Sequence, residues 1–135
     1  MILFDTDVLL DVALDRKPHV EESGALLALV ERRGRGGFVA WHTLSNFYYL
    51  VRPSRGQEDT RAFLLDLCSF VVVAPTDTHA LRYAAGLPMA DLEDAMQVAA
   101  ARACGAGVIA TRNVRDFDRS PIPARTPAEI LAEGV

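Results

Sequence analysis

The sequence predicts an α/β fold built on a parallel sheet, and two observations predict it. Short apolar runs alternate with helical patterns from one end of the chain to the other. Those runs are solidly apolar, without the polar alternation of a sheet that has one wet face, so both faces are covered by helices. The 135 residues are read as one domain, 1–135, large enough to bury a core of its own.

Met1–Asp5 is an apolar run closed by an acid, short enough for a buried strand. Val8, Leu9, Val12 and Ala13 then repeat with helical period. Pro18 opens a second helix with an apolar stripe of Ala25, Leu26, Leu29 and Val30, stopped by Gly34 to Gly37. Phe38–Trp41 reads as the second strand. Leu44, Phe47, Tyr48 and Val51 mark a helix expected to end before Pro53. Thr60–Cys68 is helical, with Phe63, Leu64 and Leu67 facing inward. Phe70–Val73 is β-branched and apolar, a third strand. Thr76–Ala85 is a helix ended by Gly86 and Pro88. Asp91–Cys104 is the clearest helix, rich in alanine and closed at Gly105. Val108–Ala110 is a fourth strand, Ile122–Ala124 a weak fifth, and Pro127–Ala132 a last helix. The sheet thus has 4–5 strands.

Composition narrows the function. Half the residues are apolar and 24% are charged, which excludes a disordered chain. The apolar runs fall far short of the ~20 residues that span a bilayer, and no basic leader precedes Asp5, so no membrane partner is expected. Cys68 and Cys104 sit in apolar helical contexts and read as reduced core thiols, which suits the cytoplasm. Net charge is −4, against the basic balance of a protein that coats nucleic acid, yet Arg outnumbers Lys thirteen to one. An acidic, metal-filled site flanked by local arginines fits that balance.

The acids follow a pattern. Asp5 stands where the first strand ends, the edge at which parallel α/β folds bind ligands. It is also a good helix N-cap, as is Asp91, with Asp94 three residues on. Asp91 and Asp94 share a helix face, with Glu93 pointing elsewhere. Paired carboxylates of this kind offer oxygen ligands to a hard cation such as magnesium or manganese. After the fourth strand comes Thr111-Arg112-Asn113-Val114-Arg115-Asp116-Phe117, whose polar groups fall at the same edge.

Phe4-Asp5-Thr6-Asp7-Val8-Leu9-Leu10-Asp11, Asp91-Leu92-Glu93-Asp94-Ala95, and Thr111-Arg112-Asn113 with Asp116-Phe117 together resemble the PIN domain, and within it the VapC-type toxins of bacterial toxin–antitoxin pairs. The resemblance runs from Met1 to about Pro127. It implies a three-layer α/β/α sandwich and a ribonuclease that depends on Mg2+ or Mn2+. It further implies an RNA substrate, a cognate antitoxin partner and, often, a homodimer. Residue by residue, it places Asp5 as the first family acid, Asp94 as the third and Asp116 as the fourth, with Asn113 a rival for that last place. Asp91 joins as an auxiliary metal ligand. Asn46 stands where the family carries a Glu: it keeps a carbonyl oxygen but adds no charge. That departure leaves open a catalytically weak or inactive PIN-like module that binds RNA or protein.

The chemistry fits independently of the resemblance. Phosphodiester hydrolysis needs a neutralised pentacoordinate anion and a deprotonated water, and bound divalent ions supply both. No serine lies in a G-x-S-x-G setting. His19, His42 and His79 are scattered and read as surface or helix-start residues. Arg112 and Arg115, with Arg119, are candidate RNA phosphate contacts, as are Arg52 and Arg55. Trp41, Tyr48 and Tyr49 read as core or dimer packing. Asp5-Thr6-Asp7 also matches the start of a haloacid-dehalogenase-type phosphatase, but Leu9 replaces the threonine which that pattern requires. No phosphate-cradling glycine loop is present.

Overall fold

The computed structural model describes residues 1–134. Five strands form one parallel sheet: β1 (Ile2–Phe4), β2 (Gly37–Val39), β3 (Val71–Val73), β4 (Val108–Ala110) and β5 (Ala124–Arg125). Their order is β3-β2-β1-β4-β5. Seven helices accompany them among the described residues: α1 (Thr6–Ala13), α2 (His19–Arg33), α3 (Trp41–Arg55), α4 (Gln57–Leu67), α5 (Thr78–Ala85), α6 (Leu92–Cys104) and α7 (Pro127–Ala132). A 3-10 turn spans Val114–Phe117.

The solidly apolar strands are explained by two cores. Ile2 and Phe4 enter a core with Val8 and Leu9 of α1, Leu26 and Val30 of α2, Phe47 and Val51 of α3, Leu67 of α4 and Ile130 of α7. Leu3, between them, enters the opposite core with Ile109 of β4, Val98 and Ala101 of α6, and Phe117. All three β1 side chains are buried because successive residues serve opposite faces, each covered by helices. The chain is therefore an α/β/α sandwich. Alanines Ala84, Ala95 and Ala99 let α5 and α6 pack closely. Gly37 does the same for α2 on the sheet: a Cβ there would lie 2.5 Å from Val30 Cγ1. Gly105 closes α6 at φ 72°, the left-handed cap expected of a glycine.

Several boundaries differ from expectation. The helix expected to end before Pro53 runs through it to Arg55. Pro53 sits in the last turn, where its missing N–H forfeits a single ladder bond. The second strand stops at Val39, and Trp41 begins α3 with 71% of its surface exposed, so it is not core. Tyr49 is likewise exposed on α3. The helix placed at Thr60–Cys68 begins at Gln57, and Thr76–Ala85 shortens to Thr78–Ala85, because Asp77 caps it with bonds from His79 N and Ala80 N. The weak fifth strand is shifted to Ala124–Arg125. Both cysteines are free, but Cys68 is exposed rather than core. No helix among the described residues is long and apolar enough to cross a membrane.

Candidate active site

The sheet order reverses direction at β1. One connection leaves it for β2, while β4 pairs on its other side, so the carboxyl ends of β1 and β4 flank a topological switch point. Asp5 stands there, immediately after β1. Its Oδ1 accepts from Thr6 N at 2.8 Å and from Gln97 Nε2 at 3.2 Å, and its Oδ2 accepts from Thr111 Oγ1 at 2.8 Å. Asp5 thus caps α1 and faces the crevice at once; the two readings of this acid are not exclusive. Only 6% of it is exposed. Burial pushes its carboxyl up to about 7, with repulsion from Asp7 and Glu93 in the same direction and hydrogen bonds from Thr111 and Thr6 opposing.

Asp94 projects from the first turn of α6. Its backbone N–H donates to Asp91 Oδ1 at 3.0 Å, so Asp91 is the helix cap. Partial burial pushes the Asp94 carboxyl up to about 6, and Asp91, Glu93, Asp116 and Asp7 add like charge. Asp5, Asp7, Asn46, Glu93, Asp94 and Asn113 line one hollow of about 420 Å3. A second hollow of about 290 Å3 adjoins it across Asp94 and is lined by Asp91, Asp116, Arg115 and Arg119.

These positions sort the residues singled out in the sequence. Asp5, Asn46 and Asp94 meet in the first hollow, from three distant segments. Asp116 lies in the adjoining one, while Asn113 stands beside Asp5. Glu93 does not point away: it lines the first hollow, and its Oε2 accepts from His42 Nε2 at 2.9 Å. The face rule fails there because Asp91 is a cap and not a helical residue, and first-turn side chains splay around the helix end. Arg112, expected on phosphate, instead places its Nε 2.8 Å from Asp11 Oδ2. Arg115 remains on the rim of the second hollow.

Two residues escaped the sequence reading. Asp7 lines the hollow, and its Oδ2 accepts from Arg112 N at 2.9 Å and Asn113 Nδ2 at 3.1 Å. Burial raises its carboxyl, while the Arg112 backbone and side chain oppose that rise. Gln97 is fully buried and donates to both Asp5 and Thr43 Oγ1, the latter at 2.8 Å. The signal for Gln97 was present: a polar residue among alanines, three positions after Asp94, needs a partner when buried.

The donor set is one of hard oxygens. Among the described residues, no basic side chain lines the first hollow, although four acids do. Gln97 Oε1 and Asp7 Oδ1 are also buried without a hydrogen-bond partner. Uncompensated carboxylates of raised pKa suit a divalent cation. Yet no three His, Cys, Asp or Glu side chains among the described residues lie close enough to share one ion. The arrangement fits an ion held by one or two carboxylates that keeps much of its water shell, as magnesium does, and not one enclosed by protein.

An α/β protein with an acidic crevice at its switch point is the class so defined. A family model described as PIN domain matches residues 1–115, and the chain belongs to the PIN domain family. Among solved structures it is similar to VapBC2 from Rickettsia felis bound to a DNA fragment from their promoter, at 18% identity and TM-score 0.69. That match covers 93% of this chain and 98% of the other. It is similar to DNA-bound VapBC from Salmonella typhimurium at 21% identity and TM-score 0.67, covering 93% and 97%. The VapC20 toxin of Mycobacterium tuberculosis, described as cleaving the sarcin–ricin loop, matches at 16% identity and TM-score 0.64, covering 81% and 87%. No curated protein sequence matches the chain.

Proposed function

We propose that this PIN domain is a metal-dependent endoribonuclease, the toxin of a toxin–antitoxin pair that works in the cytoplasm. The observation that carries the reading is the hollow lined by Asp5, Asp7, Glu93 and Asp94 with no basic side chain on its wall. Support comes from the similar structures: two are described as VapBC and one as a sarcin–ricin loop cleaving toxin. Their antitoxin and, with it, a homodimer of this chain are part of the proposal.

In this reading Asp5 and Asp94 hold the ion, Mg2+ or Mn2+, with Asn46 offering its carbonyl and Asp91 and Asp116 acting from the adjoining hollow. The bound ion supplies a more acidic water and neutralises charge on the phosphate. Gln97 and Thr111 hold the Asp5 carboxylate in place by their hydrogen bonds. Arg115 and Arg119 meet the RNA phosphates at the rim, positioning the backbone without reading sequence. The water oxygen bonds to phosphorus as the water gives up a proton, the bond from phosphorus to one ribose oxygen breaks, and that leaving oxygen takes up a proton, so a phosphate monoester and a free hydroxyl result.

Asn46 favours a second reading, a PIN module that binds without cutting, since it lines the hollow without adding charge. Purified protein incubated with a mixed-sequence RNA in Mn2+ or in EDTA separates the two. Cleavage in Mn2+ that disappears in EDTA and in Asp94→Asn is expected. RNA retained intact but bound in Mn2+ would sink the nuclease reading and leave the module.

A further inference from the structure

Asp11 and Arg112 have no part in the site as described, yet both are committed to it by geometry. Asp7 and Asp11 stand one turn apart on α1, and both reach the segment that leaves β4. Asp11 is fully buried. Its Oδ2 accepts from Arg112 Nε at 2.8 Å and from Ser23 Oγ of α2 at 3.1 Å. Asp7 Oδ2 accepts from the Arg112 backbone N–H and from Asn113 Nδ2. Thr111 Oγ1 donates to Asp5 and accepts from Asn113 N at 3.0 Å. Three consecutive residues after β4 are therefore fastened to α1.

We propose that Arg112 is a positioning residue: clamped on Asp11, it fixes Thr111–Asn113 so that Asn113 stays in the hollow beside Asp5 and Asp116 stays at its neighbour. Only its catalytic readout rests on the ribonuclease reading. The arginine side chain is 26% exposed while the Asp11 side chain is sealed, so removing the arginine leaves a buried carboxylate without its counter-charge. Arginine is required because its planar guanidinium keeps one N–H on Asp11 at a fixed angle, which a lysine ammonium does not reproduce.

Two measurements decide it. In the first, steady-state cleavage of a short RNA in Mn2+ is compared for wild type, Arg112→Gln, Arg112→Lys, Asp11→Asn and Arg115→Gln. Arg112→Gln and Asp11→Asn should lose about ten- to a hundredfold in kcat with KM within about twofold, the mark of misplaced machinery. Arg112→Lys should not rescue, and the double variant Asp11→Asn/Arg112→Gln should be no worse than either single one. Arg115→Gln should raise KM instead. In the second, amide exchange at Arg112 and Asn113 should speed up about tenfold or more, while Leu3 and Ile109 keep their protection. If Arg112→Gln does not fold, Ser23→Ala, which removes one bond to Asp11, should give the same local exchange at a smaller amplitude. A salt-dependent rise in KM with kcat and exchange unchanged would overturn the clamp, as would exchange that quickens equally in the sheet. If wild type cleaves no RNA, the ribonuclease reading falls, and exchange at Arg112 and Asn113 still decides the clamp.

Discussion

At the scale of single residues, the site holds its charge in tension. Under the proposed metal-dependent reading Asp94 adds repulsion and a ligand together, so Asp94→Asn should act oppositely in two assays. The ion-free protein should melt at the same temperature or higher, because the raised Asp94 carboxyl is relieved of its neighbours. The melting shift produced by Mn2+ should shrink and cleavage should fall by orders of magnitude. A purely structural role in the first turn of α6 predicts neither loss, since Asp91 and not Asp94 is the cap. Asn46→Glu should add a charged ligand to the hollow and tighten Mn2+ binding by ~1–3 kcal/mol in calorimetry. An unchanged affinity would place Asn46 outside the ion's shell. Asp5 and Asp94 were legible in the sequence because strand ends and helix starts share one edge of a parallel sheet. Glu93 and Asp7 were not, because the splay of a helix end depends on what packs opposite; Gln97 stood out as a polar residue among alanines, but its partners Asp5 and Thr43 did not. Their spacing alone does not carry that information.

At the scale of elements, legibility followed burial. β1 to β4 were readable as short apolar runs, most of whose side chains are buried between the two helical layers, whereas β5 has only Ala124 and Arg125 and was read two residues early. The ends of α3 and α4 were not, because a proline in a last turn and a first turn of Gln57, Glu58 and Asp59 carry no apolar stripe. α2 approaches β2 closely at Gly37. Gly37→Ala would drive a methyl against Val30, Phe4 and Val71, whose nearest atoms lie 2.5, 3.3 and 3.3 Å from the added carbon. We expect a loss of ~1–3 kcal/mol in urea unfolding, the range of an overpacked core. A loss below ~0.5 kcal/mol would mean that α2 shifts freely on the sheet. Gly24→Ala, with nothing near the added carbon, is the control and should be neutral or stabilising.

For the whole molecule, the acidic crevice makes stability depend on pH in an unusual direction. Asp5 has its carboxyl raised from 3.8 to about 7, so the folded state binds a proton that the unfolded state has already released. Between those values the ion-free protein should lose stability as pH rises, by at most about 1.4 kcal/mol per unit for one group. Melting of the EDTA-treated protein from pH 5 to pH 8 should show that decline. Saturating Mn2+ should flatten it, adding about 2.7 kcal/mol at a hundred times the dissociation constant, or several degrees. A melting temperature that rises steadily from pH 5 to pH 8 without ion would show that the crevice acids are not strained. The same crevice also has a timetable. Its central bond joins Asp5 to Thr111, 106 residues apart. β1 gains its second neighbour only when β4 arrives. At a synthesis rate of about 5–20 residues per second, roughly 5–20 s pass between the emergence of the two halves. Throughout that interval a nascent chain carries Asp5 but no crevice, so under the proposed ribonuclease reading a growing polypeptide would spare the messenger beside it.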